Sequence, residues 1–287
     1  MKYPILIILL FLSVKNLFAQ DSIPLQKETY KTFFAHIRND SVLSFRSSKG
    51  FVPYLIHNIG HQAVSPLHLS KRGWMNTAGV FAITAGMIVT DMRVDHFFKP
   101  IRDKNPFIRN VSPQITELGD YYGYALVAAF GCYSVVFHDY KAFRTSLLAS
   151  QAAITAGLWV RAGKILSGRM RPGATYSDLE YNSDHWFGPF GQFNPSYTKN
   201  RSAPAFDAFP SGHTAAAFAM ATVFAREYKN VRGVPLIMYS LAGIVGVTRM
   251  IEHEHWVSDV FLGAVTGYLC GVQVTRDGIN FAAFGRK

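Results

Sequence analysis

Six apolar segments constrain the fold of this chain more than any other feature. Each is about 12–18 residues long, poor in charge and free of proline after its first turn. Such length and composition favour helices over strands, so we predict an all-α fold built on a six-helix bundle. The six segments are Trp74–Thr90, Tyr121–Phe137, Thr145–Val160, Thr214–Ala225, Val234–Val247 and Val257–Val274.

The length and hydropathy of the six segments indicate whether the bundle lies in a membrane. A bilayer needs about 20 apolar residues per spanning helix, so the segments are short to adequate. The mean hydropathy of +0.11 is low for six spans. A soluble bundle would nevertheless expose an unusually large apolar area unless it oligomerised. We therefore predict a membrane-embedded bundle, with a soluble, secreted bundle as the alternative.

The positive net charge of the chain indicates which classes of partner it could bind. The net charge is +11, from 29 Lys and Arg against 18 Asp and Glu. A basic excess can serve nucleic acid, a membrane surface or an anionic ligand. The basic residues are scattered among apolar segments without a basic helix or a nucleic-acid-binding signature, so we expect no nucleic-acid partner. Two explanations of the basic excess remain: cytoplasmic loops of a membrane protein and an anionic ligand.

The two cysteines, Cys132 and Cys270, lie in apolar segments. Cysteine in such a setting behaves as a small core side chain. We predict that role for both, and neither a disulfide nor a metal site.

The two ends of the chain divide it into regions. Residues 1–20 have the pattern of a secretory signal, with Lys2, an apolar run and a small-residue cleavage site. An uncleaved signal anchor is the alternative. We therefore predict a signal peptide or anchor at 1–20, an N-terminal arm of short amphipathic helices at 21–72, a helical domain at 73–275 and a C-terminal tail at 276–287.

An aromatic segment, residues 173–209, is inserted between the third and fourth predicted helices. A loop of this length in a compact domain is usually functional or disordered, and its aromatic residues argue against disorder. Two interpretations stay open: a lid or groove for an acyl or prenyl chain, and a packed cap over the helix ends.

Three short motifs lie at the ends of predicted helices. Lys164 and Arg171-Pro172 follow the third helix, Pro210-Ser211-Gly212-His213 begins the fourth, and Thr248-Arg249 with His255 and Asp259 lies between the fifth and sixth. In an up-down bundle these helix ends share one side. We therefore predict that the three motifs meet at one end of the bundle.

All three motifs offer groups that hold an oxyanion. Ser211 is a good helix N-cap, and Gly212 lets an anion approach the backbone at a helix N-terminus. Lys164, Arg171 and Arg249 supply the cations. A basic flank at a membrane boundary is the other interpretation of Lys164, Arg169 and Arg171, and it explains Arg169 but not the whole set.

The third motif offers an oriented imidazole. His255 and Asp259 are four residues apart, so on a helix both would project from one face. A carboxylate bonded to one ring nitrogen fixes the tautomer and frees the other for attack. A salt bridge between Asp259 and Arg249 is the alternative. His253 is expected to face elsewhere, and the His253-Glu254-His255 run does not have metal-ligand spacing.

Together the motifs resemble the type 2 phosphatidic acid phosphatase family, which includes bacterial class A acid phosphatases and vanadium haloperoxidases. The family patterns K-x6-R-P, P-S-G-H and S-R-x5-H-x3-D are matched here with one departure, Thr248 in place of Ser. The resemblance covers about residues 73–275. It implies that His255 is a nucleophile that forms a phosphohistidine, that Asp259 orients it, and that His213 acts as acid and then base.

The resemblance implies a metal-independent phosphatase without a cofactor that acts on a lipid phosphate or diphosphate. Its partners would be membrane lipids and a phosphorylated small molecule. A soluble periplasmic acid phosphatase, a vanadate-dependent haloperoxidase and an inactive binding or transport module are the alternatives. We expect the inner membrane and a periplasm-facing site. If all six helices span, that orientation puts residues 21–72 in the cytoplasm, whereas a cleaved signal would put them outside.

Overall fold

The fold is all-α over the part of the chain that the computed structural model describes, residues 29–39, 50–175, 186–194 and 203–284. Over these ranges the β-structure amounts to one isolated bridge, between Arg169 and Trp186. The helices are α1 Tyr30–Asn39, α2 Phe51–Val64, α3 Lys71–Lys104, α4 Pro106–Thr116, α5 Tyr121–Phe137, α6 Tyr140–Ser167, α7 Pro172–Thr175, α8 Gly212–Glu227, α9 Val234–Ile251 and α10 Val257–Phe284. The all-α prediction is confirmed, while the predicted signal at 1–20 lies outside the described residues.

All six predicted apolar segments lie inside helices, namely α3, α5, α6, α8, α9 and α10. The largest difference is α3, which continues well past Thr90 to Lys104. Asp91 and Asp95, the charges that end the apolar segment, are buried in the bundle and paired there. The helix therefore continues because those charges have partners. The predicted tail boundary at 276 falls within α10, which runs on to Phe284.

The α8 helix is the centre of the bundle and packs against α6, α9 and α10. Its face toward these neighbours is built from small side chains, and Ala215, Ala219 and Val223 are completely buried. Small residues allow helix backbones to approach closely. Close packing around α8 therefore fixes where its first turn, which carries the second motif, points.

A glycine stripe on α10, Gly263, Gly267 and Gly271, faces α8 at a spacing of four residues. A Cβ at Gly267 would lie 2.1 Å from the Ala215 carbonyl oxygen, and one at Gly263 would lie 2.5 Å from the Ser211 carbonyl oxygen. The two backbones are therefore in direct contact. This contact brings the Ser211 N–H within 3.0 Å of the Asp259 carbonyl, which joins the second motif to the third.

Within the described ranges, three helices are long and apolar enough to cross a membrane: Lys71–Lys104, Val234–Ile251 and the Val257–Gly278 part of α10. In α3 only 11% of the apolar window is buried by the rest of the protein. Side chains such as Trp74, Met75 and Phe81 project outward from it. The apolar helices therefore indicate a membrane protein.

The cysteine prediction is correct for one residue. Both cysteines are free, and Cys270 lies in the core against α8, as expected. Cys132 is exposed, because it lies on the outer face of α5 beside other exposed apolar residues such as Val135. An apolar segment of a membrane helix does not show which of its faces is the core.

The part of the N-terminal arm that the structure describes contains two short α-helices, α1 and α2. The α2 helix contacts both α6 and α10 through polar side chains. The Tyr54 hydroxyl donates to the Val274 carbonyl at 2.8 Å, and the buried Asn58 donates to Gln151 at 2.8 Å. The arm is thus docked on the bundle.

Candidate active site

The three motifs meet at one end of the bundle. Lys164 lies in the last turn of α6, Ser211 directly precedes α8, and Arg249 lies in the last turn of α9. Each is buried, and carboxylates between the motifs link their cations. The helix ends are therefore as close together as the up-down bundle predicts.

The Ser211 hydroxyl lies at the N-terminus of α8 but does not cap it. Ser211 is buried, and its Oγ lies 2.9 Å from the Thr214 Oγ1 instead of on a backbone N–H of the first turn. The position predicted for Ser211 is correct. The first-turn N–H groups of α8 remain available to an anion at the helix N-terminus.

Each of the three cations is paired with a carboxylate that the sequence does not single out. Lys164 donates to Asp207 at 3.2 Å, and the Arg171 Nε donates to the other oxygen of Asp207 at 2.8 Å. Glu254 lies between the guanidinium groups of Arg171 and Arg249. A third carboxylate, Glu252, accepts from Arg249 at 2.8 Å. These side chains converge from different elements, so motif spacing alone could not reveal them.

His255 is almost completely buried, at 1% exposed, but it does not lie on a helix. The prediction that His255 and Asp259 project from one helix face is wrong, because α10 begins only at Val257. The Asp259 Oδ2 accepts from the Trp256 N–H at 2.8 Å, in the manner of a capping box that starts the helix after His255. The same oxygen lies 3.6 Å from the His255 Nδ1, so the two predicted side chains are neighbours, although this distance is too long for a hydrogen bond.

Both site histidines are held neutral. Burial, together with the nearby Arg249, Lys164 and Arg171, lowers the pKa of His213 to about 3. Burial likewise lowers the pKa of His255 well below its ordinary value, with the same three cations adding to the effect. A second contact of His213 is with Asp120 at the start of α5, 3.6 Å away. A neutral imidazole has a free lone pair, which a nucleophile or a general base needs.

Arg169 is the largest departure from the sequence-based interpretation. As a basic flank it would be exposed, but its side chain is completely buried. Its guanidinium donates to Asp259 at 2.6 Å and to Asp91 at 2.6 Å. Asp91 comes from α3, outside all three motifs. The sequence gives no local signal for this pair, because 78 residues separate its members.

His253 and His255 contact different carboxylates, Asp95 and Asp259. The His253 Nδ1 lies 2.7 Å from the Asp95 Oδ1, and the His253 carbonyl accepts from the Gly173 N–H at 2.7 Å. Within the described residues neither histidine belongs to a group that could hold a metal. The group that could, His57, His61 and Asp277, has ligand atoms within 4.8 Å of one another. It lies far from the motifs, about 27 Å along α10 from Asp259 at 1.5 Å per residue.

The described part of the aromatic segment packs against the end of α6. The Trp186 ring lies 4.5 Å from the Arg169 guanidinium, and Phe187 donates its N–H to the Gly168 carbonyl at 3.1 Å. These contacts fit a cap over the helix end. Beside them a cavity of about 450 Å³ lies between Phe187, Phe190 and Phe193, and the last two rings are exposed. The segment therefore has features of both interpretations.

Comparison with known proteins points to one family. The profile of the PAP2 superfamily matches residues 144–280. A lipid A 1-phosphatase of Porphyromonas gingivalis is 40% identical over 83 residues, which is 29% of this chain but only 17% of that protein. The match thus spans less than a fifth of the length of that curated relative.

Two solved structures are similar at low sequence identity. The LpxE protein of Aquifex aeolicus is 21% identical with a TM-score of 0.46, covering 65% of this chain and 94% of its own. A transmembrane PAP2-type phosphatidylglycerolphosphate phosphatase of Bacillus subtilis is 18% identical with a TM-score of 0.48, covering 71% and 96%.

Proposed function

We propose that this chain is a member of the PAP2 superfamily, whose profile matches residues 144–280, and that it hydrolyses a lipid phosphate or diphosphate through a phosphohistidine. One observation carries the proposal. Lys164, Arg171 and Arg249 lie around two neutral histidines, the buried His255 and the half-buried His213, at one end of an apolar bundle. A cluster of cations beside a free imidazole suits attack on a phosphoryl group.

The three cations, the Ser211 hydroxyl and the Gly212 N–H hold the phosphoryl oxygens. Planar guanidinium groups bind two oxygens at once, whereas the Lys164 ammonium acts as a point charge. Asp207 keeps Lys164 and Arg171 aimed at a common point, since it accepts from both. Glu254 occupies the space between Arg171 and Arg249 and moves aside when the phosphoryl group enters.

His255 attacks phosphorus through Nε2, because its Nδ1 faces Asp259. His213 takes up a proton when the phosphoryl anion binds. The bond from phosphorus to the leaving oxygen breaks as the bond to Nε2 forms, and His213 gives that proton to the leaving oxygen. Neutral His213 then takes a proton from water, whose oxygen attacks the phosphohistidine and releases phosphate. This chemistry uses the side chains of the chain and requires no metal.

A lipid is the substrate class that suits the surroundings of the site. The site lies at the end of helices that are long and apolar enough to cross a membrane. The exposed rings of Phe190 and Phe193 border a cavity near the end of α6, where an acyl or prenyl chain fits. Phosphatidic acid, phosphatidylglycerophosphate, undecaprenyl diphosphate and a lipid A phosphate all carry the required groups.

A substrate panel tests the proposal. Lipid phosphates in detergent micelles and soluble phosphoesters are offered to the purified protein, with and without EDTA, and released phosphate is measured. We expect faster hydrolysis of the lipids and no effect of EDTA. Loss of activity in EDTA, or activity on small phosphoesters alone, would contradict the metal-independent lipid phosphatase.

The location follows from helix direction and charge. The α6 and α9 helices end at the site, and basic residues such as Lys141, Arg226 and Lys229 flank the opposite end. Basic loops favour the cytoplasm, so the site faces the periplasm from the inner membrane. Carbonate extraction is expected to leave the protein in the membrane pellet, and release into the supernatant would refute this placement.

Replacing Arg171 or Arg249 with lysine is expected to lower kcat/KM by about 10- to 100-fold. Lysine keeps the charge but cannot make two parallel hydrogen bonds, and a charge-assisted hydrogen bond contributes roughly 1.5–3 kcal/mol. Steady-state kinetics measure the effect. Arg232→Lys, at an exposed arginine outside the motifs, serves as the control. Unchanged kcat/KM in both site variants would refute the bidentate contacts.

Anion binding is expected to bring a proton with it. An oxyanion among the three cations offsets their effect on His213, so its pKa rises from about 3 on binding. Between the two pKa values the complex holds one more proton, and affinity therefore increases as the pH falls. Titration calorimetry with tungstate in buffers of different ionisation enthalpy measures this proton. His213→Gln should abolish the uptake, and equal uptake in that variant would contradict the assignment.

A further inference from the structure

We propose that Arg169 and Asp91 are positioning residues that hold Asp259, and through it His255, in the geometry needed for attack. This inference rests on the proposed phosphatase function and adds two residues to it. Neither belongs to the phosphate-binding set, and Asp91 lies outside the residues that match the family profile.

The three side chains form a continuous buried chain of charges. The Arg169 Nη1 donates to the Asp259 Oδ1 at 2.6 Å, and its Nη2 donates to the Asp91 Oδ2 at 2.6 Å. All three residues are completely buried. Ser258 joins the chain, since its N–H donates to the Asp91 Oδ1 at 3.0 Å and its Oγ contacts both Arg169 and Asp91.

The contact with Arg169 provides the counter-charge that the buried Asp259 carboxylate needs to stay ionised. A buried carboxylate without a counter-charge becomes protonated, and a protonated one would no longer stabilise a cationic imidazole. Arg169 supplies the counter-charge on one oxygen of Asp259. The other oxygen is left for the Trp256 N–H, at 2.8 Å, and for the His255 Nδ1. Since two carboxylates share one guanidinium, a net negative charge still faces the imidazole.

The position of Arg169 is itself fixed by its neighbours. Its guanidinium carbon lies 4.5 Å from the Trp186 ring centre, 5.4 Å from that of Trp256 and 5.8 Å from that of Phe209. These rings enclose the planar guanidinium and restrict its rotation. A lysine ammonium at this position would lack the planar face that packs on the rings and the two parallel donors that reach both carboxylates.

The α3 helix holds the nucleophile's turn at two points. Asp91 binds the Ser258 N–H just after the turn, and Asp95, one helical turn further, binds His253 at 2.7 Å just before His255. Most of the apolar part of α3 is not covered by the protein. The docking of this outer helix thus sets the place of a catalytic histidine.

Kinetics of Asp91→Asn and Arg169→Gln test the inference. Loss of the outer partner that orients a metal-ligating side chain typically costs 10- to 100-fold in activity, and we expect kcat to fall by about the same factor here. KM and the affinity for tungstate should stay within about twofold, because Lys164, Arg171 and Arg249 are untouched. Phosphohistidine formation, trapped by alkaline quench, should slow in step with kcat. Asp103→Asn, at an exposed position of the same helix, is the control.

The outcomes separate this inference from the proposed function. If the wild-type protein is active and both variants keep its kcat, the positioning role is wrong and the proposed function stands. The same holds if the variants change only KM and the affinity for tungstate. Inactive wild type overturns both proposals. If Arg169→Gln does not fold, the size-conserving Asp91→Asn decides the matter, with tungstate binding as evidence of an intact pocket.

Discussion

Replacing His255 with alanine is expected to reduce hydrolysis of the lipid phosphate by about 10⁴-fold or more, to near the background rate. This large effect is expected because His255 is the proposed nucleophile that bonds covalently to phosphorus. Without the His255 imidazole the phosphohistidine cannot form, and water would have to attack the phosphoryl group directly. Released phosphate and trapped phosphoenzyme measure the two consequences, and both should disappear together.

The matched control is His68→Ala, at an exposed histidine in the 3₁₀ helix Ser65–His68. It should retain full activity. Tungstate binding by His255→Ala shows whether the cation cluster is still assembled, since Lys164, Arg171 and Arg249 remain. Substantial hydrolysis by a folded His255→Ala variant would remove the phosphohistidine mechanism and reopen the inactive-module and water-attack alternatives.

The helices and the meeting of the motifs could be predicted because both depend on local pattern. Tyr121–Phe137 is an apolar segment whose predicted bounds are those of α5 itself. Lys164, Ser211 and Arg249 lie close to helix ends, and antiparallel helices bring alternate ends to one side. The location of the cation cluster therefore followed from element order alone.

The supporting residues could not be predicted, because their roles depend on tertiary contacts. Asp91 ended an apolar segment and therefore suggested the end of a helix, yet its partner Arg169 lies 78 residues away. Arg169 beside Arg171 suggested a basic flank, since nothing local distinguishes a buried arginine from an exposed one. The i,i+4 spacing of His255 and Asp259 suggested a helix face, whereas Asp259 instead starts the helix after His255.

A glycine repeat in α10 is a further feature from which a helix contact could be predicted. Gly263, Gly267 and Gly271 repeat at a spacing of four, which places them on one face of a helix. Such a stripe is typical of close helix contact in membranes. The structure shows its partner to be α8, the helix that carries Ser211 and His213.

Replacing Gly267 with valine is therefore expected to lower the free energy of unfolding by at least about 3 kcal/mol and to abolish activity. The new Cβ would lie 2.1 Å from the Ala215 carbonyl oxygen and 2.9 Å from the Ala219 nitrogen, both backbone atoms that cannot turn aside. The α8 and α10 backbones would have to separate. Thermal unfolding in detergent should show a Tm lower by about 6–12 °C.

The activity loss should exceed what instability alone explains, because this contact also sets the site. Separation of α8 from α10 breaks the 3.0 Å bond from the Ser211 N–H to the Asp259 carbonyl and moves His213 away from His255. Gly243→Val is the matched control, since a Cβ at Gly243 on α9 meets nothing within 4 Å and carries the same helix-propensity cost. If both variants lose equal stability, or if folded Gly267→Val keeps wild-type kcat and tungstate affinity, the glycine stripe does not position the two halves of the site.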